Sequence, residues 1–268
     1  VWGVTGARFV VTNTIDHIRL PQGWRVRAFD ALDSTNAALK RMVEAGTEAA
    51  EGLIVAAKSQ TAGRGRSGRT WASPPGNVYA SFLIEAKSGI VHAPETGFVA
   101  AVAVVAAIQA LMPDRASDAA LRCKWPNDVL FEGAKVAGIL PETTAPPETG
   151  PAFVVLGIGL NLVPVRVDAP YPVTSLAEHG AEIGPGQALE ALARQLAHHL
   201  DLWRRDGFAP IRRAWLDHAA GLGEEIVVQL PRETVTGRFV DLDADGALIV
   251  DNAGQRRRIL AGDVILPS

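Results

Sequence analysis

Between Gly63 and Trp71 the chain reads Gly-Arg-Gly-Arg-Ser-Gly-Arg-Thr-Trp, with Arg64, Arg66 and Arg69 close together. No acidic residue stands between Glu51 and Glu85, so this stretch, with Lys58, makes a local cationic site in a protein of formal net charge -3. Arginine forks match the paired oxygens of phosphates and carboxylates, and glycines let a backbone come close to a ligand. Two phosphate-binding patterns fit the spacing superficially. Gly63, Gly65 and Gly68 satisfy GxGxxG, and Gly63 to Thr70 has P-loop spacing with Arg69 in the place of lysine. Both patterns require a helix to open directly behind the glycines. Here Ser73-Pro74-Pro75-Gly76 follows, which breaks helices and leads into a strand, so both are rejected. An anion site and a solvated loop remain, and Trp71 closing the loop argues against simple flexibility.

Three further places set polar groups on apolar ground. Lys124-Trp125-Pro126-Asn127-Asp128 combines a cation, an amide and a carboxylate. Lys135 heads the apolar run Val136 to Leu140, where burial demands a partner unless the side chain snorkels at a strand end. In Gly157-Ile158-Gly159-Leu160-Asn161-Leu162 the glycines suggest close approach by a ligand, and Asn161 needs a hydrogen-bond partner, which neighbouring backbone could supply.

The elements that must position these groups read as a mixed α/β body. Alternation predicts strands over Trp24–Phe29, Leu53–Ala57 and Val78–Ile84. A helix starts behind Asp33-Ser34-Thr35, any of which can cap it. The Ala/Val-rich run Phe98–Met112 reads as a buried helix, too short for the roughly 20 residues of a membrane span. Lys124 to Ile139 predicts two short segments joined near Glu132-Gly133, and Phe153 to Leu162 a central strand. Thr143 to Pro151 reads as a surface loop, and Gln187 to Arg205 as an amphipathic helix. After Gly221-Leu222-Gly223 the texture changes to four or more short strands, with a hairpin turn at Asp245-Gly246. This predicts a body over residues 1–220 and a small β-barrel over 221–268.

Composition narrows the class. With 268 residues and 48% apolar content the chain can bury a core without staples. Its single cysteine, Cys123, excludes internal disulfides and CxxC metal sites and fits a reducing compartment. The six histidines contain no HExxH, so no metal cluster of protein ligands is expected. Val1 to Pro21 lacks a charged start followed by an apolar run, so no secretory signal is expected.

Taken in order, Ser34-Thr35-Asn36, Gln60 to Arg66, Lys124 to Asp128, Lys135 to Leu140 and Gly157 to Leu162 resemble the biotin–protein ligase family. The resemblance runs from about Trp24 to the C-terminus, and the tail is similar to that family's SH3-like domain. It implies an α+β fold: a mixed β-sheet packed with helices, like a class II synthetase, then the barrel. It implies joining of biotin to ATP with Mg²⁺, giving biotinyl-5′-AMP and pyrophosphate. The biotinyl group then passes to a lysine of a biotin carboxyl carrier protein.

The residue roles come from the same resemblance. Arg64, Arg66, Lys135 and Asp128 carry the chemistry. Biotin meets Ser34, Thr35, Asn36, Gln60, Gly63, Arg64, Gly65, Arg66, Lys135, Gly138 and Gly157. ATP meets Arg66, Arg69, Trp71, Lys124, Asn127 and Asn161. Bringing a carboxylate to a phosphate at 4 Å costs about 4 kcal/mol per charge pair at an effective dielectric of 20, which the cations offset. An acceptor lysine of pKa about 10.4 is only about 0.04% neutral at pH 7, so Asp128 is the candidate to orient or deprotonate it. Ser67 departs from the family, where a larger or basic residue often stands. The residues before Trp24 are too few for the winged-helix DNA-binding domain of many bacterial members, so operator binding is not expected. No nucleic-acid or membrane partner is expected, a homodimer is left open, and the cytoplasm is the expected compartment. The loop from Thr61 to Gly76 is expected to order on ligand. A lipoate–protein ligase, a non-catalytic biotin or nucleotide sensor and a DNA-binding regulator are the competing readings.

Overall fold

A computed structural model describes residues 18–47, 50–87, 89–145 and 151–266. Most of Val1 to Pro21 and part of the Thr143 to Pro151 loop therefore lie outside the described residues. The body is a seven-stranded sheet in the order β1-β2-β3-β7-β6-β5-β4. Its strands are β1 (Arg25–Leu32), β2 (Leu53–Gln60), β3 (Val78–Glu85), β4 (Leu121–Lys124), β5 (Asp128–Phe131), β6 (Ala134–Thr144) and β7 (Phe153–Leu160). β1 and β2 are parallel and all other neighbours antiparallel, so the sheet is mixed. The expected surface loop after Ile139 begins later than predicted, because Thr143 and Thr144 still pair with Val154 and Phe153.

β7 holds the middle place, as its continuous apolar run predicts for a strand covered on both faces. Side chains alternate between two clusters. Val154, Leu156, Ile158 and Leu160 join the large core, while Phe153 and Val155 face the smaller one. The large core holds α2 (Glu95–Leu111), α3 (Pro185–Asp206) and α4 (Phe208–Asp217). α2 is buried on nearly every side, as its Ala/Val composition predicts. The opposite face carries only α1 (Thr35–Glu44), which covers Phe29, Leu53, Val55, Leu83 and Phe153. Its N-cap is Ser34, which accepts from the Ala37 amide, while Asp33 accepts from Ser34 N–H and from Arg41. The Arg41 hydrogen bond holds the Asp33 carboxyl down to about 2. β4 and α4 escaped the sequence reading, since four residues in one case and a single apolar stripe in the other give little periodic signal.

The tail forms a second, antiparallel sheet ordered β11-β10-β9-β8-β12. Its strands are β8 (Glu225–Gln229), β9 (Thr234–Leu242), β10 (Leu248–Asn252), β11 (Gln255–Ile259) and β12 (Asp263–Ile265). This matches the expected texture and adds β12. The two sheets share one apolar core: the Trp215 ring packs edge-on to Phe98 on one side and to Phe239 on the other. The Asp245-Gly246 turn seals the joint. Trp125 Nε1 donates to Gly246 O at 3.1 Å, and a Cβ on Gly246 would stand 2.5 Å from the Phe98 ring.

Gly246 and Gly254 both sit at positive φ (85° and 86°), but nothing lies near a Cβ on Gly254. Gly254→Ala should cost about 1 kcal/mol, the left-handed strain alone. Gly246→Ala adds overpacking and should cost about 3 kcal/mol, read by urea unfolding. Equal losses would disprove the tight joint.

Candidate active site

Strand register builds the site. One cross-strand row runs Lys124–Asp128–Gly138–Gly159–Tyr79–Ala57, and an adjacent row runs Leu140–Gly157–Ser81–Val55. Neighbours along a row share one face. That face is the one carrying α1, which packs on β2, β3 and the far end of β7, reaches the edge of β6, and leaves the β5–β4 end open. Cys123, one residue from Lys124, points to the opposite, core side, where burial pushes its thiol pKa up. A cavity of about 740 Å³ lies on the uncovered part of the α1 face.

The floor is glycine. A Cβ on Gly138 would stand 2.7 Å from the Trp71 ring, and one on Gly159 2.5 Å from it. Gly157 leaves the space that the Asn36 amide fills. The Trp71 ring and the Asn36 amide approach these glycines closely, and Gly138, Gly157 and Gly159 all line the cavity. Trp71 Nε1 is buried without a hydrogen-bond partner.

Ser34, Thr35, Asn36 and Gln60 form one wall. Thr35 and Gln60 are bonded to each other, and Ser81 links Thr35 to Asn36. Gln60 Oε1 accepts from the Thr35 amide at 2.8 Å, Ser81 donates to Asn36 Oδ1 at 2.5 Å, and Gln60 Nε2 donates to Ser73 Oγ at 2.9 Å. The arginine loop forms the second wall, with Arg64, Gly65, Arg66 and Arg69 lining the cavity. Arg64 is paired with Glu142 at 2.8 Å and Arg69 with Asp263 at 2.7 Å. Arg66 is the most buried of the three, its nearest carboxylate is Asp263 at 3.9 Å, and it donates to Gly262 O. Burial makes it hold its proton less tightly than usual. Within the loop Gly65 N–H donates to Arg69 O at 2.7 Å and Trp71 N–H to Gly63 O at 2.9 Å.

At the far end Lys135 Nζ lies 2.7 Å from Asp128 and over two aromatic rings, 5.2 Å from the centre of Trp71 and 5.3 Å from that of Tyr171. Lys124 Nζ lies 5.6 Å from the centre of the same Tyr171 ring. Burial lowers the Lys124 pKa, and neighbouring Lys135 lowers it further against the pull of Asp128. Tyr171, Glu142, Gly262 and Asp263 were not found in the sequence, because each reaches the site from a distant element and no local pattern marks it.

Four predicted groups stand elsewhere. Gly63 packs beneath Trp71 O and Ser73. Asn127 Nδ2 donates to Ile139 O at 2.9 Å, and Asn161 Nδ2 to Thr174 O at 3.1 Å, so both amides stitch loops to β6 and β7 rather than line the cavity. Lys58 pairs with Asp30 at 2.8 Å, away from the cavity, and leaves the cationic site to the arginines and Lys124 and Lys135.

A glycine-floored cavity thus joins an arginine loop to a lysine–aspartate pair, a set of cations whose chemistry suits anionic small molecules. Residues 28–161 match the biotin/lipoate A/B protein ligase family, and residues 221–266 match the biotin protein ligase C terminal domain. The chain belongs to this family. It is 38% identical over 240 residues to the biotin–[acetyl-CoA-carboxylase] ligase of Paracoccus denitrificans, covering 87% of this chain and 96% of that one. The biotin–[acetyl-CoA-carboxylase] ligase of Mycobacterium tuberculosis is 32% identical over 249 residues, covering 91% and 90%. The biotin protein ligase from Aquifex aeolicus in complex with biotin and ATP superposes with a TM-score of 0.76 at 25% identity, over 90% of this chain and 97% of that one.

Since Trp71 Nε1 has no partner, Trp71→Phe gives up no hydrogen bond, whereas Trp125→Phe loses the bond to Gly246 O. Trp125→Phe should therefore cost about 1 kcal/mol more in unfolding free energy. The reverse order would show that Trp71 is bonded in solution.

Proposed function

We propose that this protein is an ATP-dependent biotin–protein ligase acting on a biotin carboxyl carrier protein. The observation that carries the reading is the shared cavity, which sets a wall of neutral polar groups, an arginine loop and the Lys135–Asp128 pair on one sheet face. In this reading biotin's ureido ring takes the Ser34–Asn36 and Gln60 wall, exchanging hydrogen bonds made within the protein for its own. Its carboxylate lies toward Arg66 and Lys135. The nucleotide enters beside Arg69, Trp71 and Lys124.

Arg66 and Lys135 hold positive charge in a half-buried place where it is worth more than in water. They draw the carboxylate and the α-phosphate together despite their repulsion. The carboxylate oxygen attacks the α-phosphorus and pyrophosphate leaves. Among the described residues no three His, Cys, Asp or Glu side chains converge on one point. Mg²⁺ commonly takes one or two carboxylates plus phosphate oxygens, and Asp263 lines the cavity beside Arg69, so the residues fit an ion that arrives with ATP. Asp263 would hold it together with the phosphate oxygens, and when bound it neutralises phosphate charge.

In the second half-reaction the acceptor amine needs Asp128, which is paired with Lys135. Movement of Lys135 to the acyl phosphate oxygens frees the carboxylate to orient and deprotonate that amine. Residues 1–220 form the catalytic domain and 221–268 the second domain. Among the described residues no helix is long and apolar enough to cross a membrane. The working compartment is the cytoplasm.

Supplied with ATP and Mg²⁺, the protein should release pyrophosphate with biotin and not with lipoate. Release with lipoate alone would assign the lipoate branch, and release with neither would leave a sensor. Asp128→Asn should still form the adenylate and pass it to a carrier domain about 100-fold more slowly, the lower range for loss of a general base. Equal transfer by both proteins would remove Asp128 from that role.

A further inference from the structure

The Glu142 carboxylate lies behind the cavity wall rather than in it. It borders the outer side of the arginine loop, together with Leu140. The parity of β6 puts Glu142 on the same face as Gly138 and Leu140, and its side chain is largely buried (16% exposed). Three side chains from two elements, the arginine loop and α1, converge on it. Arg64 of the loop donates to Oε1 at 2.8 Å, Asn36 at the start of α1 donates to Oε2 at 2.8 Å, and Lys40 one turn later lies 3.6 Å away.

Asn36 is also held from its other end by Ser81, and its amide donates to Leu140 O. Ser81 lies 2.7 Å from Thr35 Oγ1, and Thr35 leads to Gln60 and Ser73. Ser73 donates to Trp71 O. One polar chain thus runs from the C-terminal foot of the loop, under the neutral wall, to Glu142 and back into the loop at Arg64.

We propose that Glu142 is a positioning residue that latches the arginine loop to α1 through Arg64, so that Arg64 serves as the loop's anchor. The inference rests on the ligase reading for its substrates and revises the role of Arg64 within it. Paired at 2.8 Å, Arg64 has its charge met by protein, whereas Arg66 has no carboxylate closer than 3.9 Å among the described residues. The latch places Asn36 and Arg66 relative to each other before either meets a ligand. It therefore acts on the acid substrate, which spans both, and not on the nucleotide.

The test compares Glu142→Gln, Arg64→Met, the double variant and Glu142→Asp. Hydrogen exchange over residues 61–76 is followed without ligand, and pyrophosphate release is measured against biotin and ATP separately. Each single variant should speed exchange in the loop and raise the KM for biotin about tenfold, as expected for one lost charged hydrogen bond, with the KM for ATP within about twofold. The double variant should be no worse than the worse single one, because both remove the same pair. Glu142→Asp, which keeps the charge, should recover most of the loss. Multiplying effects in the double variant would mean that Arg64 meets substrate independently and would overturn the proposal. So would unchanged exchange in the single variants. If the parent released no pyrophosphate with biotin, the ligase reading would fail, while the exchange measurements would still decide the latch.

Discussion

The constraint on which this site depends is the register of the sheet. Lys124, Asp128, Gly138 and Gly159 are adjacent members of one cross-strand row, contributed by four strands. A slip of one residue at any pair would turn its side chains to the core face, where Cys123 and Val129 stand. The apolar alternation that buries α2 on one face therefore also decides which groups face the cavity. Packing and chemistry are two readings of the same pattern. The glycines have their place in this scheme: a row that crosses the floor of a cavity must give up side-chain volume, and the Trp71 ring takes the volume they leave.

Charge is arranged by the same economy. The cavity gathers five cations, but each of Arg64, Arg69 and Lys135 has a carboxylate within 2.8 Å. An arginine loop without such partners would repel itself and splay. With them the loop's charges are met by protein, and an incoming anion would exchange partners with those carboxylates. Asp263 comes from the second sheet, so the tail is an electrostatic part of the cavity wall and not merely its neighbour.

Much of the fold was legible in sequence because it rests on local periodicity. The alternation around Val78–Ile84, the Ala/Val helix and the Asp245-Gly246 turn each declare themselves within a few residues. The arginine loop and the Lys124–Asp128 stretch were visible because cations and amides are costly on apolar ground. What was illegible is relational. Glu142 sits in a strand among threonines and a proline with no local sign that Arg64, 78 positions away, would reach it. Tyr171 lies between prolines in an irregular segment, and only the bridge that pairs Lys135 with Val173 carries it over the cavity. The amides of Asn161 and Asn127 show the converse: each needs a partner, and a backbone carbonyl accepts from it.

The aromatic joint between the sheets has a consequence for how the molecule comes apart. Phe98, Trp215 and Phe239 belong to three different elements, and their rings share one unbroken interior with both sheets. Neither sheet can open without exposing apolar surface of the other. The tail is thus no detachable module: melting should be one cooperative event, and shortening the chain at the second sheet would leave a body with a wound in its core.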